Sequence, residues 1–464
     1  MAQAPSAPSV NAGRPFPWRF TAPLFIGSAL NPVNSSLIAT ALVPIAAGVH
    51  VRLGQTAVLV SSLYVASAVG QPTAGKAADV FGPRRVFLTG ILLVLLGGLV
   101  GGFAPNLLVL LVGRVVIGLG TSCAYPTAML LIRSRARTAG LEQPPGGILG
   151  GLQIAGIATV SLGLPVGGVL VQLLGWRSVF LVNVPVALLA LIATLAGVPR
   201  DERPAHRSAA QLVSALDLPG IAGFAGSMAA LLLFLGGLPS VNRVLLASAV
   251  VLWASTILWE LRAGTPFFDL RLLATHGALT RTLLRFGLIS LFAYVIMYGL
   301  TQWLEVARGL SESAAGLLLV PMTVIGGSVV LPISRRRLVR APLLWAAVLS
   351  TGAAVSMLLL PAAAWMALTL VVVILVGLAQ GAASSNQIAL YAQAPADSLG
   401  TASGLMRAFG YLGSIGSSAI TGIVFRSHVT DSGVLTIAWT MLGVSVALLA
   451  LTFLDRTLAR GPAV

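Results

Sequence analysis

The uncharged stretch SALNPVNSSLIATALVPI, residues 28–45, places amides and hydroxyls in a run long enough to cross a lipid bilayer. Its Asn31, Asn34 and Ser35 side chains can donate and accept hydrogen bonds, but none of them carries a charge at neutral pH. They can join helices to one another, which stabilises a membrane protein by only about 0.6 kcal/mol per pair. They can also line a cavity that binds a polar substrate. Because Pro32 and several polar residues lie near one depth, we favour the cavity.

Two arginines lie within other apolar runs. Arg114 belongs to LVGRVVIGLGTSCAYP, residues 111–126, and Arg407 belongs to GLMRAFGYLG. A charged side chain at the centre of a membrane helix costs about 2.5–3.5 kcal/mol on insertion scales, so Arg114 should face the protein interior. Two buried cations without an evident buried anion would repel cationic compounds. The resulting hypothesis is that any substrate is neutral or anionic.

No carboxylate or imidazole is expected near the middle of the membrane. The chain has 12 acidic residues and 4 histidines, and by position they fall in loops or near the ends of apolar runs. Glu305, in YGLTQWLEVARGL at residues 298–310, is the least exposed of them by position. Proton antiport normally requires a titratable group whose pKa burial shifts toward the working pH. Glu305, or water near Asp79 and Arg114, would have to carry any proton coupling.

Further candidates for a substrate cavity come from their positions within the apolar runs. We expect the cavity to be lined by Asn31, Asn34, Ser35, Arg114, Tyr125, Gln153, Tyr298, Gln302, Trp303, Asn386 and Arg407, together with Gln387 and Tyr411. Aromatic and amide side chains of this kind suit amphipathic organic molecules.

The elements that must position these residues are membrane helices. The chain has 464 residues, of which 57% are hydrophobic and 9% are charged, whereas soluble domains have about 25% charged residues. Runs such as 86–104 are apolar on every side rather than alternating, which favours helices over a barrel. We predict an all-α polytopic membrane protein with fourteen spans, at about 21–48, 55–74, 86–104, 107–132, 146–173, 177–198, 217–238, 243–260, 281–303, 313–333, 342–360, 364–385, 398–425 and 434–455.

The segments between these spans predict orientation and domains. Most of the 28 Lys and Arg residues fall in alternate loops, which the positive-inside rule assigns to the cytoplasm together with both termini. Two six-helix bundles, 21–198 and 281–455, flank a segment 199–280 that contains an extra helix pair, and a flexible N-terminal tail 1–20 and a C-terminal tail 456–464 complete the chain. This arrangement indicates a transporter that gives alternating access to a site near the middle of the membrane.

The segment GKAADVFGPRR, residues 75–85, joins the second and third predicted spans. It resembles the signature loop of the major facilitator superfamily, in which two glycines and an aspartate precede paired arginines, and Gly75, Asp79, Gly82 and Arg84 match that pattern. The resemblance implies the fold of that superfamily. It also implies that the loop holds the two bundles together on the cytoplasmic side, with Asp79 near a helix N-terminus of the other bundle. Asp79 and Arg84 would then control gating.

Arg114 and Gly118 resemble the fourth-helix motif of the same superfamily, in which Ile117 here replaces the usual glutamine. The resemblance implies a role for Arg114 in proton coupling. A structural arginine, bonded to backbone carbonyls or to amides such as Asn31, remains an equal alternative.

The segment GGILGGLQIAGIATVSLGLPVGGVL, residues 146–170, resembles the antiporter motif of exporters in the superfamily. Gly163, Gly167 and Gly168 match that motif, and Pro165 lies one position later than the pattern requires. The alternative is that these small residues only allow neighbouring helices to approach closely.

Shorter motifs in order along the chain resemble the fourteen-helix drug:proton antiporter branch. Trp176 and Asn183 match the entry to its sixth helix, and Asp269 matches the loop after its extra helix pair. The first helix of that branch usually carries an aspartate nine residues before a proline, but counting back from Pro44 leads to Ser35. The usual coupling acid is therefore absent from its place.

Together these features predict a membrane transporter. The resemblance implies a multidrug efflux protein of a bacterial inner membrane, which exports small amphipathic compounds by proton antiport and confers antibiotic resistance. The alternative is an exporter of one endogenous metabolite or natural product, anionic and not coupled through the first-helix acid. The expected partners are a small-molecule substrate, protons and the bilayer, for a monomer without cofactor or metal. The net charge of +16 is dispersed over short loops, so nucleic acid is not expected. No HExxH or phosphate-loop motif is present, which disfavours an enzyme.

Overall fold

The computed structural model describes residues 15–141, 146–201, 216–237, 241–264, 266–267, 269–336, 338–362, 364–395 and 399–459. Within these ranges the chain is helical and contains no strand. Eleven of the described helices are long and apolar enough to cross a membrane, or twelve if one bent pair counts as a single span. The predicted all-helical membrane fold is confirmed. The count of fourteen spans stays a prediction, although every predicted span overlaps a helix.

The described residues of the first half of the molecule form a bundle of eight α-helices. They are α1 (Trp18–Leu37), α2 (Leu42–Gly48), α3 (Leu53–Phe81), α4 (Pro83–Gly102), α5 (Leu107–Thr138), α6 (Gly146–Leu174), α7 (Ser178–Leu181) and α8 (Asn183–Gly197). The helix pair that follows consists of α9 (Leu218–Gly237) and α10 (Arg243–Arg262).

The described residues of the second bundle form nine further α-helices. They are α11 (Leu270–Thr275), α12 (Gly277–Val295), α13 (Thr301–Val306), α14 (Glu312–Arg336), α15 (Arg340–Leu358), α16 (Trp365–Ala383), α17 (Ser385–Gln393), α18 (Leu399–Val424) and α19 (Asp431–Phe453). A π-helical turn, Ile296–Leu300, joins α12 to α13.

Small residues let the helices within each bundle approach closely. A Cβ added at Gly120 of α5 would lie 2.6 Å from the Gly90 carbonyl oxygen of α4, and one added at Gly113 would lie 2.9 Å from the Gly101 nitrogen. Membrane helices gain little from hydrophobic burial against one another, so this close van der Waals packing contributes much of their association.

The two ends of the molecule differ in charge and in packing. We call the end that holds Phe81, Thr138 and Arg336 the basic end, because the Lys- and Arg-rich segments lie there. The end that holds Gly102 and Val424 is called the closed end, because the two bundles meet there through α3 and α18 and through α6 and α14.

The helix pair α9 and α10 packs outside the two bundles. Helix α9 contacts both α3 and α18, and the Arg426 guanidinium donates a 3.1 Å hydrogen bond to the Gly237 carbonyl oxygen at its end. At the other end of the pair, the Asp217 carboxylate accepts a 2.9 Å hydrogen bond from the Trp259 indole. The pair therefore lies along a seam between the bundles rather than between their interiors.

Helix α1 breaks before it reaches the closed end. Its α-helical hydrogen bonding stops at Leu37, a 3₁₀ turn covers Ile38–Thr40, and α2 continues at an angle of 63°. The last four carbonyls of an α-helix have no partner within the helix. The break therefore presents the carbonyl oxygens of Asn34 and Ser35 to side chains from other helices.

The segment 75–85 is less of a loop than its sequence suggests. Residues 75–81 form the last turns of α3, Gly82 turns the chain with a φ of 96°, and Pro83 begins α4. A positive φ suits glycine, and proline is favoured in the first turn of a helix, which together confine the turn to one residue.

Candidate functional site

A cavity of about 430 Å³ lies between the two bundles, in the half of the molecule nearer the basic end. Helices α1, α3, α5 and α6 contribute its walls on one side, and α12, α14, α16 and α18 contribute those on the other. Its polar lining includes Ser28, Asn31, Gln71, Thr121, Tyr125, Ser290, Tyr294, Thr323, Gln380, Ser384, Arg407 and Tyr411, and its apolar lining includes Leu152, Val160, Phe286, Ile289, Met297, Met322 and Val330. This volume is in the range of pockets that bind organic molecules.

Three of the eleven predicted cavity residues line this space. Asn31 donates 3.0 Å hydrogen bonds to the hydroxyls of Ser67 and Thr121, and these bonds hold its amide at the cavity wall. Tyr125 and Arg407 face each other across the bundle seam, with the guanidinium carbon 3.9 Å from the ring centroid. Tyr411, a secondary expectation, also lines the cavity.

Asn34 lies away from the cavity. Its amide and that of Asn183 in α8 donate to each other, with a nitrogen–oxygen distance of 2.6 Å in one direction and 3.0 Å in the other. Both residues are buried. Asn34 therefore joins two helices of one bundle, which is the use that the sequence analysis disfavoured for this row of residues.

The carbonyls freed by the break in α1 bind Arg114 and Tyr298. Arg114 is buried and donates a 3.3 Å hydrogen bond to the Asn34 carbonyl and a 3.1 Å bond to the Leu59 carbonyl. Tyr298, from the other bundle, donates a 2.9 Å bond to the Ser35 carbonyl. The structure thus places Arg114 in the interior, as predicted, but on backbone carbonyls and not among the cavity-lining residues.

Tyrosines close the cavity toward the closed end. The hydroxyls of Tyr64 in α3 and Tyr298 are 2.9 Å apart and connect the two bundles. The Tyr294 ring packs on both, with centroids 5.1 Å from Tyr64 and 5.9 Å from Tyr298. The sequence analysis did not identify Tyr64 and Tyr294 as site residues. The signal was available, because the chain has only 6 tyrosines and the spacing of Tyr294 and Tyr298 places both on one helix face.

Three further predicted cavity residues, Gln302, Trp303 and Asn386, do not line the cavity. Trp303 is buried near the closed end, where its indole donates a 2.9 Å hydrogen bond to Asp431, and the adjacent Gln302 is also buried. Asn386 is buried and donates to the Ala383 carbonyl, but it does not line the cavity. The backbone of Gln153 belongs to α6, but the Gln153 side chain lies outside the described part of the structure.

Glu305 is the carboxylate that the sequence analysis singled out, and it lies in α13 near the closed end. Both of its carboxylate oxygens are buried, and neither has a hydrogen-bond partner among the described residues. Helix α13 contacts α2 of the other bundle. A buried carboxylate without partners is costly when it is ionised, so this environment suits a group that binds a proton.

The paired arginines of segment 75–85 are anchored to their own bundle through their backbone amides. Asp79 is exposed on the last turns of α3. The backbone amides of Arg84 and Arg85 donate 3.1 Å and 2.8 Å hydrogen bonds to the carboxylate of Asp201, which follows α8 of the same bundle. Asp201 therefore caps the N-terminus of α4, where the helix dipole favours an anion.

The glycines of the antiporter motif lie at two different contacts. A Cβ at Gly163 would collide with the Ser36 hydroxyl, and one at Gly167 would lie 2.9 Å from the Leu37 carbonyl oxygen, so both pack α6 against α1. Gly168 faces the other bundle, where a Cβ would lie 2.5 Å from the Glu312 carbonyl oxygen.

Pro165 lies inside α6, beside the contact between α6 and α14. A Cβ added at Gly316 of α14 would lie 2.7 Å from the Leu164 carbonyl oxygen and 3.4 Å from the Pro165 nitrogen. The motif segment thus forms part of the contact that seals the closed end.

Known proteins are similar to this chain in sequence and in fold. The family model of the Major Facilitator Superfamily matches residues 24–418. The chain is 32% identical over 411 residues to the uncharacterized MFS-type transporter YwoD of Bacillus subtilis (strain 168), covering 87% of this chain and 89% of YwoD. It is 28% identical over 432 residues to the tetracenomycin C resistance and export protein of Streptomyces glaucescens, covering 89% and 77% of the two chains.

The fold similarity extends to solved transporter structures. A peptide transporter POT in complex with alafosfalin aligns with a TM-score of 0.65 at 17% identity, over 96% of this chain and 95% of that one. Because the family model covers most of the chain and the two-bundle fold agrees with it, this protein is a member of the major facilitator superfamily and a multi-pass membrane transporter.

Proposed function

We propose that the protein exports small amphipathic organic compounds from the cytoplasm by alternating access, in exchange for protons. The observation that carries this proposal is the 430 Å³ cavity, which both bundles line and which lies on one side of a sealed seam. A cavity shared by two bundles changes its access when the bundles rock against each other. The similarity to a protein named for tetracenomycin C resistance and export favours the outward direction.

The positive-inside rule assigns the basic end to the cytoplasm. The structure then corresponds to the inward-facing state, in which a compound enters from the cytoplasm or the inner leaflet. Opening of the closed end requires the Tyr298 contacts to Ser35 and Tyr64 to break, together with the packing at Gly168. In this proposal both termini are cytoplasmic and fourteen helices cross the bacterial inner membrane.

Proton coupling requires a buried group that can bind and release a proton. Glu305 is its strongest candidate, because both carboxylate oxygens are buried without partners beside the seam. Opening of the closed end would expose this group to the more acidic outside, where it would take up a proton. Arg114 binds the break in α1 through the Asn34 carbonyl. Asp79 and Arg84 would gate the basic end when it closes.

Everted membrane vesicles test both export and coupling. We expect vesicles that contain the protein to accumulate amphipathic dyes when respiration acidifies their lumen, and dye addition to release protons from that lumen. Collapse of the pH gradient should abolish accumulation. Glu305→Gln should reduce proton release, whereas Glu305→Asp, which keeps a carboxylate in α13, serves as the matched control. Accumulation that survives collapse of the gradient would contradict the antiport.

A second candidate function is export of one anionic metabolite without the usual proton coupling. It is favoured by Ser35, which occupies the place of the coupling acid, and by the absence of any acidic side chain among the described residues that line the cavity. The same assay separates the two functions, because this transporter would move its compound without releasing protons.

A further inference from the structure

We propose that the cavity selects neutral and anionic amphipathic compounds and rejects cations, with Arg407 binding the anionic group of the ligand. The proposal deepens the proposed export function and rests on it. It concerns the chemistry of the ligand and is independent of the driving ion.

The charge of the cavity is set by one residue. Arg407 is the only charged side chain among the described residues that line it. Arg114, the other arginine expected there, instead donates to the carbonyls of Leu59 and Asn34 on the far side of the tyrosines. The lining therefore carries one positive charge and, within the described part of the chain, no negative one.

Arg407 is held in place without being neutralised. Its guanidinium lies over the Tyr125 ring, and Tyr411 lines the same part of the cavity. Among the described residues no carboxylate pairs with it. A cation over an aromatic face gains about 0.5–2 kcal/mol, but such stacking leaves the N–H groups at the guanidinium edge available to an acceptor. A carboxylate, sulfonate or phenolate can bind there with charge-assisted hydrogen bonds.

The position of Arg407 suits a ligand with one polar end. It lies where the main cavity meets a second one of about 230 Å³, and both are lined by Gln71, Tyr125, Arg407 and Tyr411. Apolar side chains of α6 and α14, among them Val160 and Met322, form an apolar wall of the main cavity. An amphipathic molecule can therefore place its anionic group on Arg407 and its ring system along the apolar wall.

The same arrangement disfavours cations. Moving a cation from water into this cavity removes hydration, and the lining supplies no carboxylate to compensate for that loss. Arg407 adds repulsion that water screens only partly in a cavity of this kind. The sequence hypothesis placed two arginines in the cavity, whereas the structure places only Arg407 there. The expected preference for neutral or anionic compounds is unchanged.

The test uses three pyrene compounds of matched size with the purified full-length protein. They are the anionic pyrenebutyrate, its neutral amide and a cationic pyrenebutyl trimethylammonium, and binding is measured by fluorescence anisotropy in detergent. We expect pyrenebutyrate to bind at least about tenfold more tightly than the cation. Arg407→Gln should weaken pyrenebutyrate binding by about tenfold to a hundredfold and leave the amide within about threefold.

Two controls separate charge from folding. Arg407→Lys keeps the charge and should retain most of the preference for the anion. Tyr125→Phe keeps the aromatic face and should retain the preference as well. Equal or tighter binding of the cation, absence of pyrenebutyrate binding, or unchanged pyrenebutyrate binding by Arg407→Gln would each overturn the selectivity. If the preference is present but everted vesicles accumulate none of the three compounds, the export function fails while the charge selectivity stands.

Discussion

At the scale of single residues, the polar groups of α1 divide between two tasks. Asn31 faces the cavity, whereas Asn34 pairs with Asn183 and its carbonyl binds Arg114. The interior position of Arg114 was predictable, because a charged side chain in an apolar run must avoid lipid. The side that Asn34 faces was not predictable, because the partner amide belongs to a helix 149 residues away in sequence.

The Asn34–Asn183 pair leads to a prediction about stability. Asn34→Leu leaves the Asn183 amide oxygen buried without its donor, so it should lower the free energy of unfolding by about 1–3 kcal/mol. The double change Asn34→Leu and Asn183→Leu removes both polar groups and should cost less than the sum of the single changes. Thermal unfolding in detergent measures all three variants. Simple additivity would show that the two amides do not interact.

A second prediction concerns Tyr298 at the bundle seam. Tyr298→Phe removes hydrogen bonds to Tyr64 and Ser35 and should weaken the closed end by about 0.5–1.5 kcal/mol. Spin labels at the exposed Phe103 and Val306 would report a larger population with the closed end open. Tyr391→Phe, at an exposed position, should leave the label distances unchanged. An unaltered distribution in Tyr298→Phe would exclude this bond as part of the seal.

At the scale of elements, glycines determine how closely helices of different bundles approach. Gly168 of α6 contacts the first turn of α14, and Gly54 of α3 contacts the end of α18. The sequence indicated small-residue packing in α6 but could not assign its glycines to separate neighbours. Gly163 and Gly167 face α1 within the bundle, whereas Gly168 faces the other bundle.

Gly168→Val should therefore impair transport more than folding. The added side chain would collide with the Glu312 backbone and prevent the closed end from sealing, which we expect to lower transport by more than about tenfold. Dye accumulation in everted vesicles, normalised to protein amount, measures the effect. Gly443→Ala in α19, where a Cβ meets nothing within 4 Å, is the control and should stay within about twofold. Equal losses in both variants would contradict this assignment.

Substitutions of two acidic residues at the basic end should distinguish an effect on stability from an effect on gating. Asp201→Ala removes the cap from α4 and should lower the free energy of unfolding by about 0.5–2 kcal/mol. Asp79→Asn changes an exposed residue, so it should leave thermal unfolding unchanged while slowing transport if the segment closes the basic end in the other state. Unaltered transport by Asp79→Asn would contradict that gating role.

At the scale of the whole molecule, two bundles enclose a cavity that is sealed on one side only. The seal combines backbone contacts at the glycines with the hydroxyl contact between Ser61 of α3 and Ser418 of α18. No single contact is strong. Their joint loss on one side can therefore be offset by new contacts on the other, as alternating access requires.

Cross-linking the seal should stop transport reversibly. Ser61→Cys combined with Ser418→Cys, in a Cys123→Ala background, places two thiols where the hydroxyls now touch, within disulfide range. Oxidation should abolish dye accumulation in everted vesicles, and a reductant should restore it. Each single cysteine variant should remain active after oxidation. Undiminished transport by the oxidised, cross-linked protein would show that the closed end need not open.

The sequence by itself determined that this protein lies in a lipid bilayer, that it is helical and that it belongs to the major facilitator superfamily. Its apolar runs require helices in lipid, and the residues of segment 75–85 together with Arg114 and Gly168 identify the superfamily. These conclusions depend on local composition and short motifs.

Only the tertiary structure decided which polar side chains share the cavity. It separated Asn31 and Arg407 from Arg114 and Trp303, and it joined Tyr64 to Tyr298 across 234 residues of sequence. The rotation of each helix about its axis and the tilt of one bundle against the other set these contacts. Both depend on packing between segments that are remote in the chain, and no periodicity within a single helix records that packing.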